Sequence, residues 1–105
     1  MKIYHDEYTK IFKAFCDENR LRILEMLRSG EKCGCMLEEA LPISQSTLSH
    51  HMKILVESGV VAVRKDKKWS YYTISDDGAE QAKALLQKIL EKEYDQLVCC
   101  NCDME

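Results

Sequence analysis

Glycine and proline are scarce: four and one in 105 residues. So few chain breakers exclude a loop-rich, disulfide-stapled mini-protein, even though six cysteines are present. No stretch approaches the ~20 consecutive apolar residues of a membrane span. Residues Met1 to Glu7 include no apolar signal region, so the expected location is the cytoplasm, with no membrane partner. Histidine is limited to His5, His50 and His51, which leaves little nitrogen for a metal site. Positive charge is not in excess either, since the formal net charge is −3. That balance disfavours nucleic acid only if the basic residues are dispersed, because local clustering decides. The sequence also lacks a nucleophile–base motif, a phosphate loop and spaced carboxylate pairs, so no enzyme is expected.

The chain contains one domain's worth of helical patterning. Tyr4, Tyr8, Ile11, Phe12 and Phe15 recur on one stripe of a first helix. Asp17 is placed to cap a second helix with Leu21, Ile23, Leu24 and Leu27 on its apolar side, ending near Ser29-Gly30. A short third helix is expected from Cys35 to Leu41, stopped by Pro42. Ser44 or Ser46 caps a fourth, whose buried stripe is Leu48, Met52 and Leu55 and which closes at Ser58-Gly59. Val60 to Val63 and Trp69 to Ile74 are β-branched and aromatic runs, which predict a hairpin with a charged turn from Arg64 to Lys68. Ser75 to Gly78 opens a last helix carrying Ala82, Leu85, Leu86, Ile89 and Leu90. The expected architecture is mainly α with a small β-hairpin, a winged helix-turn-helix. The domain is expected over residues 1–97, with a cysteine-rich tail over 98–105. The first and last helices both show broad apolar faces, and packing across a two-fold axis in a homodimer would cover them.

The fourth helix has the composition of a DNA-reading element. Ser46, Thr47 and Ser49 are short enough for close approach to a groove, while Gln45 and His50 can bond base edges or phosphates. Lys53 is placed for a phosphate. An ordinary solvated helix face would be richer in Glu and Lys. Arg64, Lys65, Lys67 and Lys68 cluster directly after this helix and suit a wing on double-stranded operator DNA.

At these positions the chain resembles the arsenic-responsive ArsR/SmtB repressor family. The resemblance runs from Phe15 to Leu24 in the second helix, through Ser44 to Leu55 and Ser58 to Val61, to Lys68-Trp69-Ser70-Tyr71-Tyr72 in the wing. It implies a homodimeric winged-helix repressor released from DNA by an inducer. His51 falls at the family's histidine position, where a helix-holding hydrogen bond and a phosphate contact are both open. Cys16 and Glu18-Asn19 depart from the usual Ala and Pro-Thr, and for Cys16 a buried, inert thiol is expected.

Cys33-Gly34-Cys35 gives two soft thiol ligands, which favour thiophilic acceptors over Mg or Ca. The resemblance implies arsenic(III) or antimony(III) as inducer, with Cd, Pb or Zn as alternatives. The third thiol of the best-known arsenite sensors is replaced here by Glu38. Cys99, Cys100 and Cys102 in the tail are the candidates for a third sulfur. A zinc site of the type the family builds on its last helix would need histidines that are missing there. A redox-sensing repressor of the same fold is the main rival, although the Cys-x-Cys spacing is expected to disfavour a relaxed internal disulfide. A thiol-based metal carrier without DNA binding is a further alternative.

Overall fold

The computed structural model describes residues 6–93. Helix α1 spans Asp6–Ala14, α2 Glu18–Leu27, α3 Gly34–Ala40, α4 Gln45–Glu57 and α5 Asp76–Leu90. Three short strands complete it: β1 at Lys32–Cys33, β2 at Val61–Asp66 and β3 at Trp69–Ile74. The strands form one antiparallel sheet in the order β1-β3-β2.

Local chemistry sets most of the boundaries. The Asp17 side chain accepts from the backbone N–H groups of Asn19 and Arg20 and starts α2. Ser44 accepts from Thr47 N–H to start α4, and Ser75 accepts from Gly78 N–H to start α5. Helix α3 begins and ends one residue earlier than Cys35–Leu41. Leu41 is extended, at φ −111° and ψ 140°, because a residue before proline is pushed out of the helical region. Gly30 and Gly59 follow α2 and α4 with φ of 129° and 85°, values that glycine adopts without strain.

The sheet differs from the expected hairpin in two ways. Strand β1 joins it, through Lys32 opposite Tyr72 and Cys33 opposite Tyr71. The first hairpin strand also runs further into the charged segment, with Arg64, Lys65 and Asp66 paired to Tyr71, Ser70 and Trp69, while β3 keeps the expected Trp69–Ile74. Only Lys67 and Lys68 make the turn, with Lys67 at a left-handed φ of 59°.

The core is built from Ile11, Ala14, Ile23, Leu27, Leu37, Leu48, Met52, Leu55, Val60 and Val61, joined by Leu41, Ala82 and Leu85. Ile11 and Ala14 show that α1 spends much of its stripe on its own domain. Helix α5 does not: Ala82 and Leu85 face inward, while Leu86, Ile89 and Leu90 are exposed. Leu21 was expected on the inner side of α2 and Phe15 on the first helix's stripe. Both are exposed instead, on the rim of an open groove of about 570 Å³ between α2 and α5. Among the described residues no helix is long and apolar enough to cross a membrane.

Candidate functional site

Helices α3 and α4 make the helix-turn-helix, and β2–β3 make the wing beside it. Six of the seven candidate DNA-reading residues on α4 face solvent: Gln45, Ser46, Thr47, Ser49, His50 and Lys53. Their exposure follows from the inward turn of Leu48, Met52 and Leu55, which leaves the opposite face free. The hydroxyl of Ser44 bonds Thr47 Oγ1 at 2.9 Å and lies 3.2 Å from Ser46 Oγ, so the start of α4 carries an ordered hydroxyl cluster.

His51 is the exception. It is buried, and of its two open roles the structure shows the interior one. Arg20 donates from Nη1 to His51 Nδ1 at 2.9 Å and from Nε to the Lys13 carbonyl at 3.1 Å. Asp17 stands 3.7 Å from His51 Nε2. Desolvation is the main reason the His51 pKa lies below its ordinary 6.5; the Asp17 carboxylate opposes the shift, and Arg20 and His50 add to it. Desolvation would raise the Asp17 carboxyl, but the two backbone N–H bonds, with the charges of His51 and Arg20, hold it below its ordinary range.

In the wing, Lys65, Lys67 and Lys68 are exposed, and the Lys68 ammonium lies 5.4 Å from the centre of the Trp69 ring. Arg64 is also on the surface but is not free. It donates from Nη2 and Nε to the two carboxylate oxygens of Glu31 at 2.8 and 3.2 Å, and its guanidinium lies 4.5 Å over the Tyr71 ring. That hydrogen bond holds the Glu31 carboxyl below its usual range and raises Arg64. Glu31 and Arg20 are functional-site neighbours that the motif did not reveal.

Cys33 ends β1 and caps α3, and Cys35 lies in the first turn of α3. The two are paired as a disulfide with Cα atoms 5.4 Å apart, so the Cys-x-Cys spacing that disfavours a relaxed internal bond still lets the sulfurs meet. The bend from extended Cys33 into the helix folds Cys35 back toward it. Cys35 also lines a cleft of about 250 Å³, together with Gln45 and Ser49 of α4 and Lys68, Trp69 and Tyr72 of the wing region. Cys35 and part of the DNA-reading face therefore share one cleft. Cys16 is free and exposed, not buried as expected, because it falls in the short link between α1 and α2. Cys99, Cys100 and Cys102 lie outside the described residues. Among the described residues, no three His, Cys, Asp or Glu side chains are assembled to hold a metal ion.

A helix-turn-helix with an adjoining β-wing and an exposed polar recognition helix defines a winged helix-turn-helix DNA-binding regulator. Residues 17–63 match the family model described as bacterial regulatory protein, arsR family. An uncharacterized HTH-type transcriptional regulator of Methanocaldococcus jannaschii is 37% identical over 86 residues, 81% of this chain and 97% of that protein. The arsenical resistance operon repressor of Staphylococcus aureus is 44% identical over 71 residues, 68% of each chain. A crystal structure of a possible transcriptional regulator for arsenical resistance superposes with a TM-score of 0.70 at 33% identity, covering 90% of this chain and 95% of that one. The chain belongs to the ArsR family of transcriptional repressors. These relatives are transcriptional regulators, as the absence of a catalytic constellation in the sequence led one to expect.

Proposed function

We propose that this repressor binds operator DNA as a homodimer and is released when a thiophilic metalloid, arsenic(III) or antimony(III), is bound by Cys33 and Cys35. The observation that carries this reading is the shared cleft: Cys35 forms one wall, and the recognition helix and wing form the others. Two thiols with Cα atoms 5.4 Å apart are close enough to share one soft atom. In the reduced protein each thiol gives its proton to a hydroxyl of arsenous acid, water leaves and a sulfur–arsenic bond forms. A third thiol, from Cys99, Cys100 or Cys102 of either subunit, completes a trigonal set; with only two, one hydroxyl remains. On the DNA side, Gln45, Ser46, Thr47, Ser49, His50 and Lys53 read the groove, and Lys65, Lys67 and Lys68 hold phosphates.

The test is operator binding by fluorescence anisotropy, with phosphine-reduced protein and arsenite as the probe. Wild type binds and is released. The double variant Cys33→Ser/Cys35→Ser binds equally well and is retained at every arsenite concentration. Release of the double variant at wild-type concentrations would overturn the reading. Cadmium or zinc, run in parallel, reports which soft ion the set prefers.

The Cys33–Cys35 disulfide favours a second reading, in which the same pair senses oxidation. One thiolate attacks hydrogen peroxide to give a sulfenic acid and hydroxide; the other thiol displaces water to close the disulfide. Peroxide-induced release without any metalloid, reversed by reductant and absent in the double variant, selects this reading.

A further inference from the structure

Three residues form one row across the sheet. Cys33 of β1 is opposite Tyr71 of β3, and Tyr71 is opposite Arg64 of β2. Directly opposed strand residues place their side chains on the same face, with Cβ atoms about 4.5–5.5 Å apart. Beside the Lys32–Tyr72 pair, the sulfur-bearing residue therefore faces the wing across the Tyr71 position, and the Arg64 guanidinium is stacked over the Tyr71 ring at 4.5 Å. The row closes on itself. Arg64 also reaches back to Glu31, two residues before Cys33, and meets both carboxylate oxygens, at 2.8 and 3.2 Å. A forked pair of this kind fixes orientation as well as distance.

We propose that Glu31 and Arg64 are a latch that transmits the state of Cys33 to the wing, with Arg64 as a positioning residue and not a phosphate contact in the latched form. The latch rests on the thiol-induction reading above and adds its route. Backbone pairing ties β1 to β3 alone; nothing in that pairing reaches β2 except through β3. The Glu31–Arg64 pair supplies the direct tie from the segment before β1 to β2. A bulky atom on the Cys33 sulfur crowds Tyr71 from the β1 side, while Arg64 of β2 lies over the same ring. The strand cannot move to relieve that crowding without dragging Glu31, and Glu31 holds β2. The wing, with Lys65, Lys67 and Lys68 on β2 and its turn, is displaced from the phosphates. A charge pair this exposed adds little to folding stability. Its value is that it is mechanical: it exists in one arrangement of strand and wing and not in another.

The experiment compares wild type with Glu31→Gln, both phosphine-reduced, and reads two quantities. The first is the ratio of operator affinities without and with saturating arsenite, with bound arsenic per protomer measured alongside. The second is the slope of log affinity against log salt in the absence of arsenite. E31Q is expected to bind as much arsenic as wild type while its release ratio falls several-fold toward one. Its salt slope is expected to steepen by up to about 0.9 for each protomer, because an unlatched Arg64 gains a phosphate. The charge-exchanged pair Glu31→Lys/Arg64→Glu restores the release ratio even though its affinity is lower, since the ratio compares each protein with itself. An E31Q release ratio equal to that of wild type overturns the latch. A wild-type protein that is loaded with arsenic and not released overturns instead the reading on which the latch rests, so the two failures are distinguishable.

Discussion

Arg20 donates a hydrogen bond from Nη1 to Nδ1 of His51 at 2.9 Å, joining the first turn of α2 to the middle of the recognition helix. Arginine has no acceptor, so Nδ1 must be the unprotonated nitrogen and the imidazole is neutral, with Nε2–H turned toward Asp17. The recognition helix is therefore held from behind by Arg20 in the first turn of α2 and faces Asp17, the residue that caps that helix.

A pH dependence follows from this arrangement. Burial places the His51 pKa below its ordinary 6.5 in the folded chain, against the pull of Asp17 and with Arg20 and His50 adding to the depression. Below pH 6.5 the unfolded chain therefore binds more protons at this site than the folded one, and stability falls as pH falls. The lowered Asp17 carboxyl acts in the same direction, but only at more acidic pH, near and below its ordinary 3.8. Urea unfolding of wild type is expected to show a lower midpoint at pH 5.5 than at pH 7.5. His51→Gln keeps an acceptor for Arg20 but cannot titrate, and its two midpoints should lie closer together. An equal drop in both proteins would assign the effect to other groups.

Gly78 carries a second prediction. It sits in the first turn of α5, and a Cβ there would lie 1.8 Å from the Gly59 carbonyl oxygen, which is backbone and cannot swing away. Helix propensity alone favours Ala over Gly by about 1 kcal/mol. The clash should win: overpacking costs about 1–3 kcal/mol even where side chains can adjust. Gly78→Ala is expected to lower Tm by at least several degrees. At Gly34 the nearest atom to an added Cβ is a Tyr72 ring carbon at 3.7 Å, an ordinary contact, so Gly34→Ala should melt close to wild type.

These two sites show what local pattern does and does not encode. The Asp17 cap was legible, and the starts of α4 and α5 were narrowed to Ser44 or Ser46 and to Ser75–Gly78, because a short side-chain acceptor before an apolar period has one common use. So was the Leu48, Met52, Leu55 stripe, and His51 falls on that same period, three residues after Leu48; the dipeptide with His50 concealed that one ring faces inward and the other outward. Strand β1 was not legible, since two residues carry no alternation to detect. Its partner sits about forty positions later, at Tyr71 and Tyr72. Arg64 read as a wing cation for the same reason: its partner, Glu31, is 33 residues away and is brought close only by the sheet. Leu21 and Phe15 looked like core because apolar spacing cannot say whether the surface that covers a residue belongs to its own chain.

The wing should report its phosphate contacts through salt. Lys65, Lys67 and Lys68 are exposed, whereas Arg64 is paired with Glu31. Replacing any one that meets a phosphate should reduce the salt slope of operator binding by about 0.9 per protomer, with little change in sequence preference. Gln45→Ala and Ser49→Ala on α4 should behave in the opposite way, altering the ranking of operator variants and leaving the slope close to wild type. Titrations at several salt concentrations against two operator sequences separate the outcomes, and a lysine variant with an unchanged slope would remove that residue from the interface.

The outward face of α5 makes the last prediction. Leu86, Ile89 and Leu90 follow helical spacing and are 48, 38 and 71% exposed, while Leu85 and Ala82 on the other side are buried. The stripe is accompanied by the groove between α2 and α5, whose lining includes exposed Phe15 and Leu21 together with Leu24, Ile74 and Ala82. An apolar surface of this extent is costly to leave in water, and a second copy of the same chain can cover it symmetrically. Leu90→Glu places a charge at the most exposed of these positions, where it touches little of its own domain. The variant should therefore keep the wild-type circular dichroism and Tm of an isolated subunit, while sedimenting as a monomer where wild type sediments as a dimer. Its operator affinity should fall steeply, because two recognition helices must be fixed about 34 Å apart to meet successive turns of the groove. A wild-type protein that sediments as a monomer at micromolar concentration, or an L90E protein that remains dimeric, would require the dimer to be built on another face.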